Sequence, residues 1–511
     1  MTDSVRIVKN TGFLYFKTIV SMFVMLYVTR VVLRSLGAED YGIYNVVAGV
    51  ISMLGFFSIS MATTVQRFFN NAQGKKDFGL QKTIFNIALV LHVIIGIVVS
   101  LFLYVGQFFI LESVLNISEY RHYAAICVYQ CLIISTFFSI IVVPYDALIN
   151  SHEDMLAYSI LGIIDVFLKL IIAIYVSFSN SDRLITYSIL MIAVPLFDFL
   201  MMMFYSFKHY DECQINILGS LNKEKADEML KFAGWNFVGL SSSMIGNYGI
   251  GIVLNHFFGA LLNAASGIAS QLQGMLSVLS AQFLKALNPI IFKLGAVDER
   301  GRMMLFSYMG CKYSYLLFFF ISVPVVIETP FVLKFWLSYY PDWTVLFVRL
   351  ILIRALLEQV TYSLKRSLEA VGSVKQYNRT VSAFYLIPLL VLFIIYKMGG
   401  QPYWNVIVPL FFMSFIPSVF QLYYCKRYCS FDMKVFVRTV LCPCILVTIL
   451  SFIAGIIPSS FMDEGWMRLF CCIFFSWVMA GLVFLLTIGK EEKSLFLRLY
   501  NAQNSFSGFS R

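Results

Sequence analysis

Charged residues are scarce in this sequence. Asp, Glu, Lys and Arg make up 13% of its 511 residues, whereas hydrophobic residues make up 59%. A soluble globular domain carries about 25% charged residues, because water must solvate its surface. Apolar runs of about 18 or more residues recur from end to end, and such runs are long enough to cross a lipid bilayer. The composition therefore excludes a water-soluble protein and indicates an integral membrane protein.

The sequence also lacks the motifs of nucleotide and metal chemistry. It has no GxxxxGK[ST] loop for the phosphates of ATP, and its five histidines are scattered without the spacing of metal ligands. Most of its ten cysteines fall inside apolar segments, where they pack as small hydrophobic residues. We therefore expect no metal and no cofactor. Energy would come from a H+ or Na+ gradient, or from a gradient of the substrate itself.

The hydrophobic segments predict an all-α membrane protein of about fourteen transmembrane helices. Gly, Pro, Asn and charged residues punctuate the chain into runs of the length that spans a bilayer. The predicted helices are centred in the windows 11–33, 42–66, 83–107, 122–149, 155–178, 184–207, 232–256, 261–291, 304–327, 344–366, 379–397, 403–424, 436–457 and 467–488.

Lys and Arg residues orient these helices, because basic loops stay on the cytoplasmic side of a membrane. With the N-terminus placed inside, 26 of them fall in inward segments and five within helices. The outward side holds seven, which are Arg30, Arg34, Arg121, Arg183, Lys334, Lys397 and Arg468. We therefore expect both termini in the cytoplasm. The net charge of +10 follows from this topology, so no nucleic-acid partner is expected.

The loops between the predicted helices are short, and the longest, at 207–231, has about 25 residues. No soluble domain is left to house an active site, so we expect a transporter and not an enzyme. The predicted parts are an N-terminal six-helix bundle at 1–207, a cytoplasmic amphipathic linker at 208–231, a C-terminal six-helix bundle at 232–430, helices 13 and 14 at 431–489, and a cytoplasmic tail at 490–511.

A weak internal repeat relates the two predicted bundles. Leu36-Gly37-Ala38-Glu39-Asp40-Tyr41-Gly42 opens the second predicted helix, and Phe258-Gly259-Ala260-Leu261-Leu262-Asn263-Ala264 opens the eighth, 222 residues later. Both lie on the outward side by the charge count, so the bundles would be parallel repeats of an alternating-access carrier. Coincidence in a sequence rich in small residues is the alternative.

Ionisable residues in mid-membrane need a partner or a wet cavity, because each costs roughly 2.5–3.5 kcal/mol to insert. Asp165 and Lys169 stand four residues apart in the fifth predicted helix, where they share a face and can pair. Arg354 and Glu358 repeat this spacing in the tenth. An arginine can grip a phosphate through paired donors. Each pair could line a substrate cavity or form a structural salt bridge.

Three further residues complete the candidate set. Lys285 and Arg30, like Lys17, lie within one or two turns of a membrane face, where they could contact substrate or extend to lipid headgroups. Asp198 has no basic residue within four positions, so it could be a proton or sodium site or a buried neutral acid. We predict no catalytic residue, substrate-binding roles for Arg354, Lys169, Lys285 and Arg30, and ion-coupling or pairing roles for Asp165, Glu358 and Asp198.

The eighth predicted helix carries a polar stripe along one face. Its members follow one another at steps of three and four residues, and they are Asn263, Ser266, Ser270, Gln273, Ser277 and Ser280. Such a stripe could line an aqueous cleft, or its small polar residues could hold helices together.

The run from Leu36 to Val47, followed by Arg67-Phe68-Phe69-Asn70, resembles the polysaccharide transporter family of the MOP superfamily, the Wzx-type flippases related to MATE and MurJ. The resemblance in helix layout covers nearly the whole chain. It implies a MATE-like fold and export of undecaprenyl-diphosphate-linked oligosaccharide units across the bacterial inner membrane, for O-antigen of lipopolysaccharide, capsule or exopolysaccharide assembly. The implied partners are this lipid-linked oligosaccharide, membrane lipids and other polysaccharide-assembly proteins.

Other functions stay open at this stage. A MATE-type ion-coupled antiporter of small molecules has the same fold, and an acid-dominated cavity would favour it. The mid-span bases here match the acids in number, which favours an anionic substrate only slightly. A lipid II flippase of the MurJ kind is barely distinguished by sequence. A membrane polysaccharide polymerase or ligase would need a sizeable outward loop, which the charge count does not leave.

Overall fold

The computed structural model describes residues 3–74, 77–152, 154–216, 223–296, 298–372 and 374–487. Within these ranges the chain forms helices joined by short connections and contains no strand. The prediction of an all-α protein is therefore confirmed.

The first part of the chain forms nine α-helices before the 210–216 connection. They are α1 (Asp3–Leu36), α2 (Ala38–Ser52), α3 (Phe56–Gly74), α4 (Phe78–Phe109), α5 (His122–Ile141), α6 (Val143–Ser151), α7 (Met155–Phe178), α8 (Arg183–Met191) and α9 (Ala193–His209). The side chains of Asp77, Asp154 and Asp182 accept backbone N–H bonds at the start of α4, α7 and α8. These caps satisfy donors that a helix end leaves without an internal partner.

The remaining described residues form twelve α-helices. They are α10 (Lys223–Phe258), α11 (Ala260–Ala296), α12 (Arg300–Ile327), α13 (Thr329–Leu337), α14 (Thr344–Gln359), α15 (Tyr362–Ala370), α16 (Val374–Lys397), α17 (Trp404–Pro409), α18 (Ile416–Tyr428), α19 (Met433–Phe436), α20 (Cys442–Ile456) and α21 (Trp466–Thr487). The π-helical segments Leu410–Phe415 and Val437–Leu441 join α17 to α18 and α19 to α20. Helix α10 begins inside the segment that the sequence assigned to a linker.

Eleven helical stretches in the described residues are long and apolar enough to cross a membrane. The chain is therefore a multi-pass membrane protein. The predicted windows 232–256, 261–291 and 344–366 are also helical, as α10, α11 and the pair α14 and α15, but they are not among the eleven. Polar residues lower the mean hydropathy of α11. Helix α14 ends at Gln359, before the end of the window 344–366. The total of fourteen stays a prediction.

The chain forms two compact units. The first comprises Met1–Ser270, Leu333–Phe347 and Ser382–Phe412, and the second comprises Gln271–Val332, Val348–Val381 and Met413–Arg511. The bundles at 1–207 and 232–430, which follow the sequence repeat, stay a prediction. In the first unit an apolar core forms around Val47, Val128 and Tyr129. In the second unit, α12 packs against α15, α20 and α21. The last two predicted membrane helices, which are α20 and α21, therefore pack on α12.

The two copies of the internal repeat have the same local structure. Gly37 precedes α2 with φ of +82°, and Gly259 precedes α11 with φ of +78°. Both glycines adopt the left-handed region that side-chain-bearing residues rarely enter. Within the first unit the two helices touch, because a Cβ atom on Gly42 would lie 1.9 Å from the carbonyl oxygen of Ala260. The repeat thus sets a tight crossing of α2 and α11.

Candidate functional site

Helices α1 and α7 pack along each other and bring Lys17 into the first unit. The Lys17 ammonium lies 3.8 Å from the centroid of the Tyr158 ring, a favourable cation–π distance. A Cβ atom on Gly162 would lie 2.2 Å from Cε of Lys17, so the lysine side chain crosses α7 at this glycine. Farther along, Arg34 and Phe178 line one groove, so the two helices run in the same direction.

Three carboxyl groups from three different helices lie within electrostatic range of Lys17. Lys17 interacts electrostatically with Asp146 of α6, Asp165 of α7 and Asp198 of α9. One turn from Asp165, Lys169 donates to its Oδ2 at 2.8 Å, and these two side chains are 27% and 16% exposed. We call Lys17, Asp146, Asp165, Lys169 and Asp198 the charged cluster. Charges buried to this extent are tolerated because they compensate one another.

The charged cluster is suited to hold a proton. Its three carboxyl groups face two ammonium groups, so the cluster carries one net negative charge when every group is ionised. With one added proton the cluster has two ammonium groups and two carboxylates, and it is neutral. Loss of the proton leaves one uncompensated negative charge in a poorly solvated site. Binding of one proton therefore balances the charges of the cluster.

The described residues contain no group of three or more His, Cys, Asp or Glu side chains placed to hold a metal ion.

A second polar centre lies in the other unit, around Arg354 of α14. Its Nε donates to Oε1 of Glu358 at 3.0 Å and to Oγ of Ser414 at 2.9 Å. Ser414 in turn donates to Glu358 at 2.5 Å. Ser414 belongs to the π-helical segment Leu410–Phe415, and such segments are frequent at functional sites. All these bonds use Nε, so the terminal amino groups of the guanidinium bind no described side chain.

Two other basic residues of the sequence set lie elsewhere. Arg30 donates to the Phe335 carbonyl at 3.4 Å and to Oγ of Ser338 at 3.1 Å. It stands thirteen residues beyond Lys17 in α1, which corresponds to about 20 Å along a helix, so it does not belong to the charged cluster. The side chain of Lys285 lies outside the described part of the structure, although its backbone is in α11.

Comparison with known proteins gives matches at the level of structure. No protein-family profile and no curated protein matches the sequence. An inward-facing multidrug resistance transporter of the MATE family matches with a TM-score of 0.69 and 10% identity, over 80% of this chain and 97% of that one. The lipid II flippase MurJ in an inward closed conformation matches with a TM-score of 0.67 and 14% identity, over 96% and 99%.

A third match is a MOP superfamily transporter from Pyrococcus furiosus, with a TM-score of 0.61 and 12% identity, over 82% of this chain and 95% of that one. The chain has the fold of the MOP-superfamily transporters. The MATE-like fold class is therefore confirmed. At these identities the matches establish the fold alone.

The MOP-type fold brings together part of the residue set that the sequence proposed. Asp165, Lys169 and Asp198 meet in the charged cluster, and Arg354 pairs with Glu358 as the four-residue spacing predicts. Sequence reasoning missed Asp146, because the window 122–149 merged α5 and α6 and placed this residue at a helix end. For Lys17 the sequence kept both a substrate contact and a headgroup contact open, because its carboxyl neighbours come from other helices. The functional roles of all these residues stay predictions.

The polar stripe on α11 serves partly as packing. Oγ of Ser280 is buried and donates to the Ser314 carbonyl of α12 at 3.0 Å. Gln273 donates to Ser277 at 2.9 Å on the same helix. Ser270, by contrast, is exposed. The stripe therefore holds helices together at one end and presents polar groups at its centre.

Proposed function

We propose that the chain is a flippase that moves undecaprenyl-diphosphate-linked oligosaccharide from the cytoplasmic to the periplasmic leaflet of a bacterial inner membrane. The glycan would serve O-antigen, capsule or exopolysaccharide assembly, and the transporter would work by alternating access with both termini in the cytoplasm. The proposal rests on the share of this chain that each matched structure covers. The MurJ match spans 96% of the chain, whereas the MATE match leaves a fifth of it without a counterpart.

The diphosphate is the part of this substrate that needs the protein. Hydrocarbon cannot solvate its charge, so cations of the protein must replace water during passage. Arg354 is suited to this task, because Glu358 and Ser414 orient its guanidinium through Nε. A phosphate could then take a bidentate bond from the terminal amino groups. Lys169 and Lys285 are the other cations that we propose along the path.

We further propose that the charged cluster couples translocation to protons. Release of a proton from the charged cluster would leave an excess carboxylate that attracts Lys169 and Lys17. Uptake would free a lysine to face the anionic substrate. Sodium is the alternative coupling ion, and replacing Na+ by an impermeant cation at fixed pH distinguishes the two.

The test follows labelled undecaprenyl-diphosphate oligosaccharide across proteoliposomes. We expect wild type to translocate it, Arg354→Ala and Lys169→Ala to lose most of the rate, and Arg302→Ala to retain it. Arg302 is the matched control, because its side chain is 68% exposed and only pairs with Glu299 at the start of α12. Wild-type vesicles that move no lipid-linked sugar would refute the flippase proposal.

One observation favours a second candidate, a MATE-type antiporter of small cations. Carboxyl groups outnumber ammonium groups by three to two in the charged cluster, which suits a cationic ligand once its proton leaves. The same vesicles decide between the two functions. Exchange of small cations for protons, without movement of the lipid-linked sugar, would support the antiporter and leave Arg354 a structural role.

A further inference from the structure

A groove at the C-terminal end of α1 collects three arginines. It has a volume of about 640 Å³, and its lining includes Arg30 and Arg34 of α1 and Arg183 of α8. Arg183 donates to the carbonyls of Ser35 and Ser179, and Arg30 donates to Phe335 and Ser338. None of the three arginines forms an ion pair with a described carboxylate. No described carboxylate is therefore paired directly with any of these three charges.

The adjoining cavity shows the opposite arrangement. Its lining includes Asp40, Arg121 and Asp182 together with Arg183. Arg121 binds Asp40 at 2.6 and 2.7 Å and binds Asp182 at 2.5 and 3.2 Å, so one guanidinium engages both carboxylates. Arg121 offsets one of these two negative charges, so one negative charge remains beside the three guanidinium groups of the groove. The groove next to them therefore keeps a net positive charge.

The other wall of the groove is apolar and open to the surroundings. Tyr27, Ile174 and Phe178 line it and are 52%, 40% and 81% exposed. Phe178 is the last residue of α7, at the end of an apolar membrane-spanning stretch. Apolar surface thus adjoins guanidinium groups where the membrane segment ends. A lipid likewise joins a hydrocarbon chain to a charged headgroup, so it matches both walls of the groove. A free anion has no apolar part that could contact the apolar wall.

We propose that this groove binds a phosphate-headed lipid. The phosphate lies against the guanidinium groups of Arg34 and Arg183, which are exposed, and the chain follows Tyr27, Ile174 and Phe178. Planar guanidinium groups bind phosphate oxygens through paired donors. On the orientation expected from the charge count, the bound lipid belongs to the outward leaflet. The inference requires no translocation, so it does not rest on the proposed function.

The test measures binding of short-chain phosphatidylglycerol, a short polyprenyl diphosphate and inorganic diphosphate to the purified full chain in detergent. We expect both lipids to bind and the double variant Arg34→Gln/Arg183→Gln to weaken them about tenfold or more, since each lost bond to a charged group is costly. Lys397→Gln, an exposed basic residue at the end of α16, is the matched control. The Arg34→Lys/Arg183→Lys variant should retain part of the affinity.

Each outcome either supports or overturns the proposed lipid site. Tighter binding of polyprenyl diphosphate than of phosphatidylglycerol makes the groove a site for an isoprenoid carrier, and the reverse makes it a site for bulk phospholipid. Both support a lipid site. Inorganic diphosphate that binds as tightly as the lipids, or lipid binding that is unchanged in the double variant, overturns the proposal. If the double variant does not fold, Arg34→Gln alone gives the answer, because Arg34 makes no hydrogen bond to a described residue.

Discussion

The crossing of α2 and α11 yields the sharpest stability prediction. In Gly42→Ala, the new Cβ atom would lie 1.9 Å from the Ala260 carbonyl oxygen and 2.6 Å from its carbon. Ordinary contact begins near 3.4 Å, and the neighbour is backbone that cannot rotate away. The helices must separate by about 1 Å or more, which places the cost at the upper end of the usual 1–3 kcal/mol for overpacking.

A helical Gly→Ala change by itself stabilises by about 1 kcal/mol, so the net loss expected for Gly42→Ala is about 2 kcal/mol. The assay is thermal unfolding of the purified protein in detergent. Gly274→Ala is the control, because Gly274 lies in the interior of α11 and its added Cβ would meet nothing within 4 Å. It should be neutral or stabilising. Equal midpoints for the two variants would refute the tight crossing.

Three other predictions concern the first unit. Gly162→Ala places a methyl group 2.5 Å from the Lys17 ammonium and should displace that ammonium. Amine-reactive labelling should then modify Lys17 more than in wild type. Unchanged labelling would contradict this prediction. Lys17→Met should lower the midpoint of thermal unfolding, because it removes a positive charge that interacts with three carboxyl groups, and adding Asp146→Asn should restore part of the loss; additive losses would argue against this interaction. The hydrogen bonds from Arg121 hold the pKa of Asp182 below its ordinary value of 3.8, so their stabilisation is present above about pH 4 and is lost as pH falls further. The stability difference between wild type and Arg121→Gln should therefore shrink from pH 7 to pH 3, and a constant difference would exclude this linkage.

Residues that act within one helix were predictable from spacing. Asp165 and Lys169, like Arg354 and Glu358, are four residues apart, and an α-helix fixes such pairs on one face whatever surrounds it. The repeat also aligned Gly37 with Gly259, and the structure gives both glycines the same left-handed conformation. Local geometry carries this information, so a single sequence suffices for it.

Contacts between distant segments were not predictable in this way. Asp198 looked isolated because its basic neighbours, Lys17 and Lys169, lie in other helices. The groove with Arg34 and Arg183 likewise joins α1 to α8, whereas the charge count treated them as separate outward residues.

Composition and the length of the apolar runs by themselves determined that this chain is a multi-pass all-α membrane protein, because lipid demands apolar helices and leaves few alternatives. The spacing of charged residues along the sequence determined which of them pair within one helix. Only the tertiary structure decided that α1, α6, α7 and α9 share one charged cluster, that Gly42 seats α2 on the backbone of α11, and that three outward arginines form one groove. The physical reason is that helix packing is set by the fit of whole surfaces, which no short run of residues encodes.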